Sequence, residues 1–422
     1  MRFSARRIAV IAVVGLLVLV ASAAATLATV RLRAADPAPT VTVHLPGLLP
    51  LSAGAPATIP VPALGSFTLF QPGAGILADT GGSTVRPIGS VAKTMTALAV
   101  LSAHPLTANA EGPLLTMTAA DVTLYRQAVD AQGSALAVHE GETLSERQLL
   151  LALLLPSANN IAETLARWAG GTRAAFITML NARAAALGMR DTYFDDPSGV
   201  SDSTVSTTHD LLLLASAVLA NQALAQLVAT PTATLPDRTR LVNLDILLGL
   251  EPGWLGIKTG WTPAAGGCLL FAAQRLYAGG TAPVTVYGAV LGQPPLTDAD
   301  RDHPELGGAL RAARTAARAA LDGNVAVDVS VVPPAVSGVI TTPWKSDATV
   351  VVKSAASRYV VVRRGTSLAL QSSLLQLRAP VRDGAVVGAL TGTAANGLEV
   401  RWSLLAHGHV DTPPAWWKLF SG

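Results

Sequence analysis

Three short patterns follow one another along the chain: Ser90-Val91-Ala92-Lys93, Ser157-Ala158-Asn159 and Lys258-Thr259-Gly260. A serine hydroxyl is a poor nucleophile until a neighbour removes its proton, and a lysine whose pKa is lowered by burial or by a second cation can do so. Residues i and i+3 of a helix project from one face about one turn apart. A helix opening at Ser90 therefore brings its Oγ to Lys93 Nζ, and Lys258 is available as the second cation. The chemistry this set implies is serine acyl transfer. Taken alone, Ser90 after Gly89 reads more readily as a helix N-cap and Lys93 as a solvated helix lysine; the catalytic reading rests on all three motifs occurring in this order.

Other common hydrolase chemistries lack their residues. No G-x-S-x-G elbow, no H-E-x-x-H and no cysteine pair occurs, since Cys268 is the single cysteine. Of the histidines at 44, 104, 139, 209, 303, 407 and 409, only His407 and His409 are close enough to share a strand face, and a solvated face accounts for them. Cys268 reads as a small buried apolar residue. No metal or organic cofactor is required.

The elements that must position these motifs follow from hydrophobic periodicity. Strands are predicted at 67–77, 84–88, 254–258, 266–276 and 283–292, and helices from Ser90, over 145–155, 160–169, 173–188, 209–228 and 304–321, with loops at 107–135 and 191–206. Asp196-Pro197-Ser198-Gly199 reads as a turn. The first motif then opens a helix, the second sits on a loop behind Pro156, which stops the preceding helix, and the third lies on a strand edge. Strands at both ends of a helical insert imply an α/β domain with one sheet built from both ends of the segment.

Length and composition set the frame. At 422 residues the chain has room for two or three domains, and with 50% apolar residues and a mean hydropathy of +0.44 it is no disordered chain. Five arginines and no acid lie in the first 33 residues; the remainder holds 25 basic against 27 acidic residues. The pI of about 9.2 thus describes the terminus, and nucleic acid is not expected as a partner.

From Ile8 to Val30 run 23 uncharged residues, flanked by Arg2, Arg6 and Arg7 on one side and Arg31 and Arg33 on the other. That is enough helix for a bilayer core of ~30 Å, with the body of the chain outside the cytoplasm. Residues 1–34 are expected as a signal-anchor, although Ala21-Ser22-Ala23 also resembles a cleavage site. Residues 35–65 are expected as a linker, 66–325 as the catalytic domain, 326–412 as a small all-β domain alternating at period two, and 413–422 as a Trp-rich tail suited either to a membrane interface or to docking on the β domain.

On these motifs and on PIGSVAKTMTALAVL, GETLSERQLLLALLLPSANNIAETLA and LGIKTGWTPAAGGCLLFAA around them, the stretch 67–292 resembles the serine D-alanyl-D-alanine carboxypeptidases, the low-molecular-mass penicillin-binding proteins. The resemblance implies a penicillin-binding, serine β-lactamase-like transpeptidase fold of α/β class followed by a small all-β domain. It implies removal of the terminal D-alanine of peptidoglycan pentapeptides through an acyl-enzyme, with β-lactams as covalent inhibitors. Ser90 is then the nucleophile, Lys93 its general base, and Ser157 the proton relay. Asn159 would bind the substrate amide, and Lys258, Thr259 and Gly260 the carboxylate end. The backbone N–H groups of Ser90 and Trp261 would form the oxyanion hole. Two departures are Asn160, where many members carry Asp, and the bulky Trp261. A class A β-lactamase, with the same motif grammar, is expected to carry S-D-N and a deacylating glutamate. A silent cell-wall-binding scaffold is the other alternative.

Overall fold

Leu269, Phe271 and Ala273 face one side of a strand and Leu270 and Ala272 the other, and both sets are buried. A strand apolar on both faces needs a layer above and a layer below, and the fold supplies them. The structure is a computed structural model that describes residues 5–278, 283–296, 302–330, 335–353 and 358–421. The chain divides into two units, Gly54–Ala326 and a second made of Met1–Ala53 with Val327–Gly422.

In the first unit, strands β1 (Ser66–Gln71), β2 (Gly75–Thr80), β3 (Trp254–Thr262), β4 (Gly266–Arg275) and β5 (Val284–Gln293) form an antiparallel sheet in the order β3-β4-β5-β1-β2. Both ends of the segment contribute strands, as the alternation of sheet and helix in the sequence implies. Between β2 and β3 lie α1 (Ala92–Ala103), α2 (Ala119–Asp130), α3 (Glu146–Leu154), α4 (Asn159–Gly170), α5 (Arg173–Leu187), α6 (Thr208–Ala220) and α7 (Gln222–Val228). Their buried side chains pack with Leu270, Ala272 and Ala289 on one face of the sheet. Helix α8 (Pro304–Asp322) covers the other face, where Leu306, Ala309, Leu310 and Ala313 meet Phe67, Leu269 and Phe271. Helix α1 is buried on all sides from Ala92 to Leu101 and is the central helix of the insert.

Within Gly54–Ala326, three stretches differ clearly from expectation. The loop expected at 107–135 contains α2, a mostly exposed helix with only Asp121 buried. Its apolar face is too thin to register as periodicity, but the Thr118/Asp121 capping box was visible as T-x-x-D. The single helix expected over 209–228 is two, bent by 107° at Asn221, whose side chain accepts from Leu224 N–H and so starts α7 afresh. The strand expected over 67–77 is the β1/β2 hairpin, turning at Gly73 with φ +77°.

The second unit is a seven-stranded antiparallel sheet, in the order 40–44, 337–341, 348–353, 399–407, 386–393, 367–374 and 48–50. The stretch expected as a linker over 35–65 therefore supplies both edge strands. Thr40-Val41-Thr42-Val43 alternates at period two, a strand signal masked by the Pro- and Ala-rich residues on either side. Helix Ala5–Arg33 is apolar and almost wholly exposed, and the Trp-rich tail contains a six-residue helix, Ala415–Phe420.

Candidate active site

Ser90 lies in a 3-10 turn, Gly89–Val91, that leads into α1, and no side-chain cap bond is made at this helix start. The N-cap explanation for Ser90 is thereby replaced. Its Oγ is 2.7 Å from Lys93 Nζ, the i, i+3 approach that the spacing implies. Lys93 is completely buried, so it is no solvated helix lysine. Its Nζ also donates to Asn159 Oδ1 at 2.7 Å and to the carbonyl oxygen of Ser198 at 2.8 Å.

The second motif follows the buried helix α3. After Pro156 the backbone reverses through Ser157, whose φ of +65° is rare for a side-chain-bearing residue. Ser157 is buried and its Oγ has no hydrogen-bond partner. An orphaned hydroxyl of this kind is a cost that a functional site accepts. Asn159 begins α4, and its N–H donates to Ser134 O at 2.8 Å. The departure at Asn160 has a physical reason: its Oδ1 accepts from Leu136 N–H at 3.0 Å while its Nδ2 donates to Leu136 O at 2.9 Å. A carboxylate could not make the second bond. The pair fixes the chain at Leu136, just after residues 131–134, which line the cleft.

The third motif lies within β3, the edge strand of the sheet, which runs past the end expected at 258 to Thr262. At Gly260 a Cβ would fall 2.8 Å from Ile88 O and 2.9 Å from Ser90 N, so the strand presses directly against the nucleophile turn. This contact brings the Ser90 and Trp261 backbone nitrogens to one place, while the Trp261 side chain stays half-exposed. Lys258 and Thr259 are buried, and Lys258 Nζ stands 3.5 Å from Thr259 Oγ1. All eight residues singled out from the sequence thus surround one place; Ser90, Ser157, Asn159, Thr259, Gly260 and Trp261 line a cleft of about 340 Å³.

One contributor carried only a turn signal in the sequence. Asp196 is buried, and its Oδ2 accepts from Ser198 N–H, Ser198 Oγ and Val200 N–H at 3.1, 2.5 and 3.0 Å, while Thr204 Oγ1 donates to Oδ1 at 2.6 Å. Thr96 Oγ1 on α1 donates to Pro197 O at 2.6 Å. This knot fixes the Ser198 carbonyl that receives Lys93. Because the ligand is a backbone oxygen, no side-chain type announces it.

The electrostatics favour a neutral Lys93. Burial, and then the charge of Lys258, hold its pKa well below the ordinary lysine value, against the opposing pull of Asp196 and Glu163. Burial brings Lys258 down to about 7, with Asp245 opposing. Asp245 itself is pushed up to about 6 by burial, and its Oδ2 accepts from Trp254 Nε1 at 2.8 Å. Cys268, opposite Gly260 on β4, is buried with its thiol raised to about 12 and is inert. Glu163, the acid nearest the second motif, pairs with Arg173 at 3.1 Å.

Comparison with known proteins agrees with this arrangement. The sequence profile of the D-alanyl-D-alanine carboxypeptidase family matches residues 70–280. A D-alanyl-D-alanine carboxypeptidase of Mycobacterium tuberculosis is 35% identical over 206 residues, 47% of this chain and 66% of the relative. A D-alanyl-D-alanine endopeptidase of Escherichia coli is 35% identical over 44% of this chain and 59% of its own length. These two matches take in less than two thirds of each relative. A D-alanyl-D-alanine carboxypeptidase of a Streptomyces species is 32% identical over 55% of this chain and 81% of the relative. Among solved structures, a Streptomyces DD-transpeptidase superposes with a TM-score of 0.52 at 29% identity, over 61% of this chain and 98% of that one.

Proposed function

The chain belongs to the D-alanyl-D-alanine carboxypeptidase family of serine peptidases, and on that premise we propose that it removes the terminal D-alanine from peptidoglycan pentapeptides on the extracytoplasmic side of a membrane. The observation that carries the proposal is the 2.7 Å approach of Ser90 Oγ to a fully buried Lys93 Nζ. A neutral amine has two N–H groups and one lone pair. The carbonyl oxygens of Asn159 and Ser198 take the two N–H groups, which leaves the lone pair for the Ser90 hydroxyl.

The reaction then runs as follows. Lys93 Nζ accepts the Ser90 proton as Oγ attacks the carbonyl carbon between the two D-alanines. The charge that develops on the carbonyl oxygen is met by the N–H groups of Ser90 and Trp261, which stabilise it only as it forms. The proton passes through Ser157 Oγ to the leaving amine, the C–N bond breaks, and D-alanine departs from an acyl-Ser90. Water cleaves the ester and restores the hydroxyl. The substrate carboxylate binds between Lys258 and Thr259, and Asn159 Nδ2 presents a donor to the peptide. A β-lactam enters the same path and stays on Ser90. Helix Ala5–Arg33 crosses the membrane and holds the enzyme beside its polymer.

The test is release of free D-alanine from a pentapeptide stem, run beside a cross-linked muropeptide dimer. D-alanine release that is lost in Ser90→Ala supports the proposal. Cleavage of the dimer with the pentapeptide untouched makes the protein an endopeptidase, as some relatives are named, and no cleavage of either favours a silent scaffold.

A further inference from the structure

Two lysines are buried among the described residues, Lys93 and Lys258, and burial strips the charge from an ammonium group unless something opposes it. For Lys93 the neutral form is the working one. Lys258 has the opposite need, since in the proposed reaction it must stay charged to hold a carboxylate. An acid of the protein in direct contact would keep it charged but would also occupy the N–H groups that the substrate requires. Among the described residues Lys258 has no such contact, and its side-chain hydrogen bond is the 3.5 Å approach to Thr259 Oγ1.

Asp245 is buried as well, and it bonds elsewhere: Oδ1 accepts from Leu247 N–H at 3.2 Å and Oδ2 from Trp254 Nε1 at 2.8 Å. Both donors are neutral. The neighbours of Asp245 place it close to the catalytic cleft. Leu244 lines that cleft with Ser157 and Thr259, and its N–H donates to Leu155 O at 3.2 Å, just before the second motif. Trp254 opens β3, the strand that carries Lys258, and stacks on Phe271 with ring centroids 5.6 Å apart. Asn243 fixes the turn between them, its Oδ1 accepting from Asp245 N–H at 2.9 Å while its Nδ2 donates to Thr230 O at 3.0 Å. The carboxylate is therefore held between the segment that leads to Ser157 and the strand of Lys258.

We propose that Asp245 is a positioning residue of the peptidase, whose carboxylate, held out of contact by Leu247 and Trp254, keeps Lys258 an ammonium group while leaving its N–H groups to the substrate carboxylate. The inference rests on the reading that Lys258 binds that carboxylate. Its physical basis is a difference in range. A hydrogen bond needs contact, whereas a charge in the interior acts beyond contact and is little screened. The charged groups around Lys258 agree with this assignment. Burial lowers Lys258 to about 7 and Asp245 is the charge that opposes it, while Lys93, from α1, is neutral in the working enzyme. Asp245, pushed up to about 6 by its own burial, is ionised above that pH, where Lys258 titrates.

The experiment follows D-alanine release from a pentapeptide by the full-length protein across pH. Without the negative charge Lys258 gives up its proton earlier, so in Asp245→Asn the alkaline limb of kcat/KM should move down by about one pH unit, an about tenfold loss beyond it. Asn offers one carbonyl oxygen to two donors, a cost in stability that a second variant avoids. Trp254→Phe keeps the stacked ring and the carboxylate and removes only the N–H that favours the ionised form, and its limb should move in the same direction. In a Lys258→Arg background, where the charge persists to high pH, adding Asp245→Asn should leave the profile unchanged in shape. A rate lowered equally at every pH, with the limb in place in both variants, makes the role structural and overturns the proposal while the peptidase reading stands. A profile that Asp245→Asn alters equally in the Lys258→Arg background assigns the effect to another group and overturns it too. A parental protein that releases no D-alanine at any pH removes the peptidase reading, and this inference with it.

Discussion

Lys93 is the residue on which the proposed chemistry turns. Two carbonyl oxygens and one hydroxyl lie within 2.8 Å of its Nζ, a set that an ammonium fills with three N–H groups and a neutral amine with two N–H groups and one lone pair. Burial, and then the Lys258 charge, favour the neutral form. Removing the amine in Lys93→Ala should slow acylation about 10²–10⁴-fold, as for loss of a general base. The pH profile of kcat/KM has an expected sign on each limb. It rises as Lys93 loses its proton and falls as Lys258, brought down to about 7, loses the charge that holds the carboxylate. Lys258→Arg keeps that charge to far higher pH, so its profile should lose the alkaline limb, and a limb that stays in place would remove Lys258 from that role. The Ser90–Lys93 partnership was legible because two side chains at i and i+3 leave a pattern. The Ser198 carbonyl was not, because any residue supplies one, and only the folded Asp196 knot shows why this one points at Lys93.

At the scale of elements, the active site is a junction of edge strand β3, the 3-10 turn before α1, and the reversal at Ser157. Gly260 makes the first contact possible, since an added Cβ would come within 2.9 Å of three backbone atoms. Gly260→Ala should therefore move β3 away from Ser90 while the body of the sheet holds. A displacement of about 1 Å costs on the order of 10²-fold in rate; the comparison of acylation rate with the thermal midpoint checks this, and an unchanged rate would contradict it. The elements that place the motifs were legible from strong apolar runs, such as the buried stretch of α3. Those that were missed have weak signals: α2 shows water most of its surface and is tied down by polar bonds, with Asp121 accepting from Thr164 Oγ1 at 2.6 Å and pairing with Arg167 at 2.5 Å. Asn221 breaks a continuous apolar stretch by capping α7, which periodicity alone does not register.

The whole molecule is one unit of continuous chain and one assembled from two distant segments. Edge strands 40–44 and 48–50 close the two sides of the second sheet, so residues 327–422 produced alone should expose two open edges and aggregate. Adding 40–53 should restore a cooperative thermal transition, whereas equal behaviour with and without that segment would show the edges to be dispensable. The sequence placed these residues in a linker because non-local pairing leaves no local mark beyond a brief alternation. The central claim, that Ser90 is the acylated nucleophile of a working peptidase, is tested most directly by intact-mass spectrometry of the full-length protein after mixing with benzylpenicillin, followed by digestion to locate the adduct. A stable adduct equal to the whole β-lactam, found on Ser90 and absent in Ser90→Ala, is the predicted result. An adduct on another residue, or rapid hydrolysis with none accumulating, would contradict it.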